Sequence, residues 1–267
     1  MGIKYFIGPM SKNIVDSIIE FQNQTDHKVG LIPSRRQIEY DGGYCNNWTT
    51  EEFSKYSSEI LIKRDHSGPG QGLCDDDGYK SLSYDCKYFD FVHIDPWKKY
   101  PDYSDGLKWS INMIEFCHKL NPEIGFEVGT EQSIRAFSPH ELDKFVEDLK
   151  KNLSSSAYKK IKYLVIQSGT SLSSTTNSGI YDRQKLIEML KISAKHNLKS
   201  KEHNGDYLPE ELIYEKMNLG LDSINIAPEF GLIETNTYLR EIKDPEIFDK
   251  FWRICYESKR WEKWVSP

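Results

Sequence analysis

The sequence predicts a (β/α)8 TIM barrel, a single domain over residues 1–267. Three observations carry that reading. Short apolar or β-branched runs recur eight times along the chain. They are spaced roughly 25 to 35 residues apart, as in a barrel of about 250 residues. Polar loops and helical patterns fill the intervals between them. A doubly wound open sheet is the rival, but no Gly-rich dinucleotide turn follows the first run.

The runs begin near Tyr5, Lys28, Ile60, Phe89, Ile124, Ile161, Leu198 and Leu221. Between the second and third, Thr49-Thr50-Glu51-Glu52 offers a capping box ahead of Phe53. Leu107, Ile111, Ile114 and His118 share one face of a later helix. Ser138 as N-cap, Pro139 at the first helical position and Glu141 two further on predict a second box. The helix it opens buries Leu142, Phe145, Leu149 and Leu153. Further helices are expected from Asp182 to His196 and from Leu208 to Leu219. The polar stretch from Ser168 to Gly179 reads as a loop rather than a domain boundary.

Composition narrows the function classes. Charged residues make up 28% and hydrophobic ones 38%, with a mean hydropathy of −0.64. The 16 Tyr, 12 Phe and 6 Trp nonetheless supply the apolar area a core needs. A net charge of −6 argues against a nucleic-acid partner, which would call for a basic stripe. No apolar run approaches the ~18 residues of a membrane span. The opening run from Ile3 to Ile7 is too short and too soon broken for a secretory signal. Cys45, Cys74, Cys86, Cys117 and Cys255 are scattered and form no CxxC pair, so a reduced, cytoplasmic protein is expected.

A barrel keeps its chemistry at the carboxyl ends of its strands. Read there, the runs are followed by Arg35-Arg36-Gln37, by Asp65-His66, by His93 with Asp95, and by Glu127. Gln167-Ser168-Gly169, His203-Asn204 with Asp206, and Glu229 complete the circuit. Acids and imidazoles gathered on successive strand ends are costly to bury unpaired, which points to a catalytic or ligand-binding mouth. Arg35 and Arg36 suit bidentate grip of a phosphate. Backbone amides of Ser168 to Ser171 could cradle another.

Several motifs, in order, resemble one family. They are Gln37 with Gly42-Gly43-Tyr44, Asp65-His66-Ser67-Gly68-Pro69, Gly129-Thr130-Glu131, Val165-Ile166-Gln167-Ser168-Gly169 and Glu202-His203-x-x-Asp206-Tyr207. Together they are similar to the tagatose-bisphosphate aldolase accessory-subunit family, a barrel related to the class II, metal-dependent sugar-bisphosphate aldolases. The resemblance implies a divalent metal, zinc foremost, that polarises a carbonyl and stabilises an enediolate. It implies His66 and His203 as ligands, with Glu127 or His93 as the third, and Asp65 as the general acid/base. Where the catalytic relatives carry a further histidine, this chain has Gln167. Asp206 and Glu229 join Asp65 as catalytic candidates. Gln37, Gln167, Ser168, Gly169 and Asn204 join the two arginines as substrate-binding candidates.

The expected activity is therefore aldolase-like cleavage of a phosphorylated or nucleotide-linked sugar. A homo-oligomer or an aldolase partner subunit is the expected protein partner. Three rivals stand beside it. A Schiff-base aldolase would use Lys63, Lys199 or Lys201. An isomerase or epimerase would run the same enediolate chemistry without cleavage. A non-catalytic subunit would only stabilise an aldolase.

Overall fold

A computed structural model describes residues 2–259 and 261–262. Eight parallel strands make the barrel wall: β1 (Tyr5–Ile7), β2 (Gly30–Leu31), β3 (Lys63–Ser67), β4 (Phe91–Ile94), β5 (Gly125–Val128), β6 (Ile161–Ile166), β9 (Lys199–Glu202) and β10 (Ser223–Ile226). The missing numbers, β7 (Leu172–Ser173) and β8 (Thr176–Asn177), form a small antiparallel hairpin beyond β6. The wall runs β2-β1-β10-β9-β6-β5-β4-β3. Parallel bridges Leu31–Ile62 and Ser34–Asp65 close the last seam, between β2 and β3. All eight apolar runs are strands of a (β/α)8 TIM barrel.

The helices are α1 (Lys12–Gln24), α2 (Thr50–Tyr56), α3 (Tyr79–Tyr88), α4 (Tyr103–Leu120), α5 (Pro139–Asn152), α6 (Ser155–Tyr158), α7 (Arg183–Lys195), α8 (Glu210–Leu219), α9 (Pro228–Glu241) and α10 (Pro245–Glu257). The Thr49–Glu52 capping box is complete in both directions. The second box is half formed. Ser138 accepts from the Glu141 amide, but the Glu141 carboxylate turns to Arg135 at 2.7 Å. The buried face of α4 is also rotated from the expected one, to Gly106, Ser110, Met113, Ile114 and Cys117. Trp97 is the reason, because a Cβ on Gly106 would lie 2.2 Å from its ring. Small residues face the indole, and Leu107 and Ile111 are left half-buried at the flank. No helix among the described residues is long and apolar enough to cross a membrane.

Apolar side chains between wall and helices form the main core, and a smaller cluster of Phe6, Ile32 and Tyr163 fills the barrel itself. One buried ion pair ties these layers to the mouth. Arg64 on β3 meets Asp85 of α3 through two hydrogen bonds, at 2.6 and 2.9 Å, with both side chains fully buried. Its remaining donor reaches the carbonyls of Ile38 and Pro33, at 2.7 and 3.1 Å. The loop after β2, which carries Arg36 and Gln37, is thus held by a strand that never touches the cavity through Arg64. Arg64→Leu would strand the Asp85 charge and should cost about 3–5 kcal/mol in urea unfolding. Replacing Asp85 by Leu as well should recover much of that loss.

Candidate active site

Residues 65 and 66 are neighbours on a strand, and regular alternation would send them to opposite faces. Here the register of β3 against β4 shifts between Arg64 and Ser67, and His66 takes a left-handed φ of 43°. The bulge brings Asp65 and His66 to one cavity. His93 rises from β4 and His203 from the end of β9, and the three imidazole centroids lie 4.9–5.1 Å apart.

Each ring is anchored through one nitrogen. His66 Nδ1 lies 2.6 Å from Asp95 Oδ2, His93 Nε2 3.0 Å from the Gly129 carbonyl, and His203 Nε2 2.7 Å from Glu127 Oε1. A carbonyl oxygen can only accept, so His93 carries its proton on Nε2. The carboxylates draw the N–H of the other two rings in the same way. Of the opposite nitrogens, His66 Nε2 and His203 Nδ1 face Asp65, while His93 Nδ1 accepts from the His66 backbone amide at 3.3 Å. Asp65 stands between two of them, 3.6 Å from His66 Nε2 and 3.7 Å from His203 Nδ1. One donor atom from each of Asp65, His66, His93 and His203 can lie within 4.8 Å of all the others. Imidazole nitrogens with carboxylate, each backed by an outer hydrogen-bond acceptor, suit a zinc-like divalent ion.

Electrostatics reinforces the arrangement. Burial pushes the His93 imidazole down to about 4, so it is neutral near pH 7. Asp65, Asp95 and Glu131 overcome the burial of His66 and raise it well above the ordinary value. Glu131 is itself pushed down to about 2, the neighbouring His66 outweighing its burial. The carboxylates therefore favour a protonated His66 ring, and a metal ion held there would take the place of that proton.

Glu127 stands a layer deeper than the four gathered donors. Its Oε2 meets Lys63 at 2.7 Å and Lys201 at 3.2 Å, while Oε1 receives His203. All three charged groups are buried. Burial alone would raise Glu127, but Lys201 and Lys63 hold it well below the usual carboxylate range. Of the two expectations for a third ligand, His93 faces the other imidazoles and Glu127 supports His203 from behind. The lysines considered for Schiff-base chemistry do not reach the cavity. Lys63 and Lys201 are committed to Glu127, and Lys199 is exposed on the far end of β9.

The cavity has a volume of about 430 Å³. Arg36, Gln37, Asp65, His66, His203, Asn204 and Asp206 line it. Other expected residues are engaged elsewhere. Arg35 is buried, with Glu39 at 2.6 Å, Asp76 at 2.6 Å and the Gly68 carbonyl at 2.9 Å, so it fastens loops rather than lining the cavity. Gln167 accepts from the Phe137 amide and donates to the carbonyls of Thr130 and Arg135, each at 2.8 Å, bracing the loop that carries Glu131. Ser168 is locked to Glu202 and Lys216, at 2.6 Å to each. Gly169 packs against the chain that follows the hairpin, where a Cβ would meet the Ile180 carbonyl at 1.9 Å.

Asp206 and Glu229 form a reciprocal clasp. Asp206 Oδ1 accepts from the amides of Ala227 and Glu229, at 2.8 and 2.9 Å, and Glu229 Oε2 accepts from the Tyr207 amide at 2.8 Å. Asp206 thereby caps α9 from a different loop. Sequence reading missed the partners of the imidazoles. Asp95 fixes His66, and Glu131 accepts from Asn204 at 2.9 Å. Gln71, Lys98 and Asn225 also line the cavity, Asn225 donating to Asp65 at 3.4 Å. Both acids stand at strand ends in the sequence, Asp95 after the fourth run and Glu131 closing the Gly129-Thr130-Glu131 motif, but nothing local pairs either with its partner.

No protein-family model matches the chain, and no curated protein does. Solved structures match throughout. A probable tagatose 6 phosphate kinase from Sinorhizobium meliloti 1021 superposes with a TM-score of 0.78 at 17% identity, covering 100% of this chain and 78% of that one. The YdjI aldolase from Escherichia coli K12 gives 0.68 at 13%, covering 92% and 84%. A fructose-bisphosphate aldolase from Campylobacter jejuni gives 0.62 at 13%, covering 92% and 80%. What is shared at these identities is the fold.

Burial pushes the Asp206 carboxyl up to about 6 from an ordinary 3.8, against the two amide hydrogen bonds and with the Glu229 charge assisting. Its folded value lies above its unfolded one. The stability that comes from keeping it protonated is therefore full below pH 3.8 and is lost as pH rises through about 6. Asp206→Asn keeps an acceptor and cannot ionise. Relative to wild type it should gain on the order of 2 kcal/mol between about pH 4 and pH 7 in urea melts. A flat difference across that window would mean a carboxylate ionised throughout.

Proposed function

We propose that this protein is a metal-dependent, aldolase-like lyase that breaks a carbon–carbon bond in a phosphorylated or otherwise activated ketose. The observation that carries the reading is the set of three imidazoles, each fixed through one nitrogen, with a donor atom of each gathered beside Asp65. The barrels named as aldolases above support it, since their fold is this one. A zinc ion held by His66, His93 and His203 would supply the Lewis acidity that polarises the ketose carbonyl.

The chain's own residues supply the rest. Asp65, partly exposed at the cavity floor, takes the proton from the hydroxyl on the far side of the breaking bond. The electron pair of that bond moves into the carbonyl half of the substrate, and the departing half leaves as an aldehyde. Asn225 orients the carboxylate for this step. Glu127, Asp95 and the Gly129 carbonyl hold the three rings so that none swings away during turnover. Gln167 keeps the Glu131 loop in place instead of serving as a ligand.

Two measurements test the reading. Asp65→Asn should lower kcat roughly 100- to 10,000-fold while bound metal, measured by elemental analysis, stays stoichiometric. His93→Ala should release the metal, and chelation of the wild type should stop turnover until zinc is restored. Product analysis on a panel of ketose phosphates decides the chemistry. An isomer with an intact carbon skeleton would replace cleavage by isomerisation, and no conversion at all would favour a stabilising subunit.

A further inference from the structure

The charged side chains around the cavity are sorted by sign. Asp65, Glu131 and Asp206 keep company with the imidazoles, whereas the lysine and arginine of the described lining, Lys98 and Arg36, come from the loops after β4 and β2. Lys98 Nζ donates to the Gly70 carbonyl at 3.0 Å. Arg36 and Lys98 line the same cavity, and burial and the Arg36 charge both lower the basicity of Lys98 against the opposing pull of Asp95. Among the described residues, no carboxylate pairs with the Arg36 guanidinium, although Arg35 beside it is saturated by two. Two cations lining one cavity, neither in an ion pair among the described residues, are stabilised by an anion that enters it.

The opposite rim is different. Barrels frequently bind phosphate on the loops after the seventh and eighth strands and on the helix that follows. Here those donors already answer the chain's own groups. After the seventh strand, the Gly205 amide donates to the Asn225 carbonyl and the Tyr207 amide to Glu229, each at 2.8 Å. At the start of α9, the Ala227 and Glu229 amides both donate to Asp206. A phosphate arriving on that side would find its hydrogen bonds taken and would meet Asp206 and Glu229 at close range. Of the expected second cradle, on the loop after the sixth strand, the Ser168 amide is taken by Glu202 at 2.8 Å and the Ser171 amide by Asn177 at 3.2 Å.

We infer that the cavity takes a sugar monophosphate, its single phosphate seated on Arg36 and Lys98, and discriminates against bisphosphates. The sugar part of this inference rests on the proposed aldolase-like reading; the anion part rests on the charge map alone.

Calorimetric titration of the full chain tests it, first with inorganic phosphate and then with a ketohexose 1-phosphate, 6-phosphate and 1,6-bisphosphate. Wild type should bind phosphate saturably. Arg36→Gln with Lys98→Gln should weaken phosphate and the better monophosphate by at least about tenfold at an unchanged melting temperature. If the double variant does not fold, Lys98→Gln alone, altered at an exposed side chain, should still weaken both by about threefold. The bisphosphate should bind no tighter than the better monophosphate. Failure of wild type to bind phosphate, affinity untouched by the substitutions, or a bisphosphate bound about tenfold more tightly would each overturn the inference. Neither titration reads turnover. An inactive protein that passes both overturns the aldolase reading alone, and an active one that fails overturns only this inference.

Discussion

A carboxylate buried at the centre of a barrel must be matched by charge and by donors, or it costs several kcal/mol. Glu127 meets that demand with Lys63, Lys201 and His203, and much of the mouth follows from how it does so. The lysines lie among aromatic faces, Lys63 Nζ 3.2 Å from the Tyr163 ring centroid and Lys201 Nζ 3.9 Å from that of Phe6. Cation–π attraction offsets part of their desolvation. With one oxygen held by the two ammonium groups, the other is fixed in place and dictates which nitrogen of His203 bears its proton. The charged floor thus sets the orientation of a ring in the layer above it.

The same economy recurs around the rim. Side chains that look available for substrate spend themselves on loops: Arg35 on Glu39 and Asp76, Gln167 on three backbone groups, Asp206 on the Ala227 and Glu229 amides and Glu229 on the Tyr207 amide. Long barrel loops carry many unpaired backbone groups, and these residues satisfy them. What remains uncommitted is small in number and therefore informative. The outward nitrogens of His66 and His203, Asp65 between them, and Arg36 with Lys98 at one edge define where a metal, a proton and an anion would go.

Strain is placed where it does most. His66 holds a left-handed backbone at the β3 bulge, and Asn204 and Tyr207 do so after β9, with φ of 58° and 59°. Such conformations persist only where surrounding contacts over-determine them. At His66 those contacts are Asp95 on the ring and the β4 wall on the backbone; at Asn204 the side chain is tied to Glu131. Both turns point side chains into the cavity that a regular strand would have aimed elsewhere.

The eight strands, their order and most helices were legible from the sequence, because apolar periodicity and capping residues act over a few neighbouring positions. Thr49 and Glu52 meet within one helical turn, so their box could be read; Glu141 was lost to Arg135, six residues upstream. The mouth as a place was also legible, since barrel topology brings strand ends together whatever the loops do. Roles within it were not. Whether His93 or Glu127 faces the other imidazoles depends on β-strand height and on two buried lysines from β3 and β9. Asp65 and His66 share a cavity through a bulge that no residue type announces. Arg35 and Arg36 are adjacent and chemically identical, yet one is spent on Asp76, 41 residues away, and the other is left open. Local pattern determined the scaffold; long-range charge and hydrogen-bond pairing, formed only once the chain has closed, decided which side chains were free for chemistry.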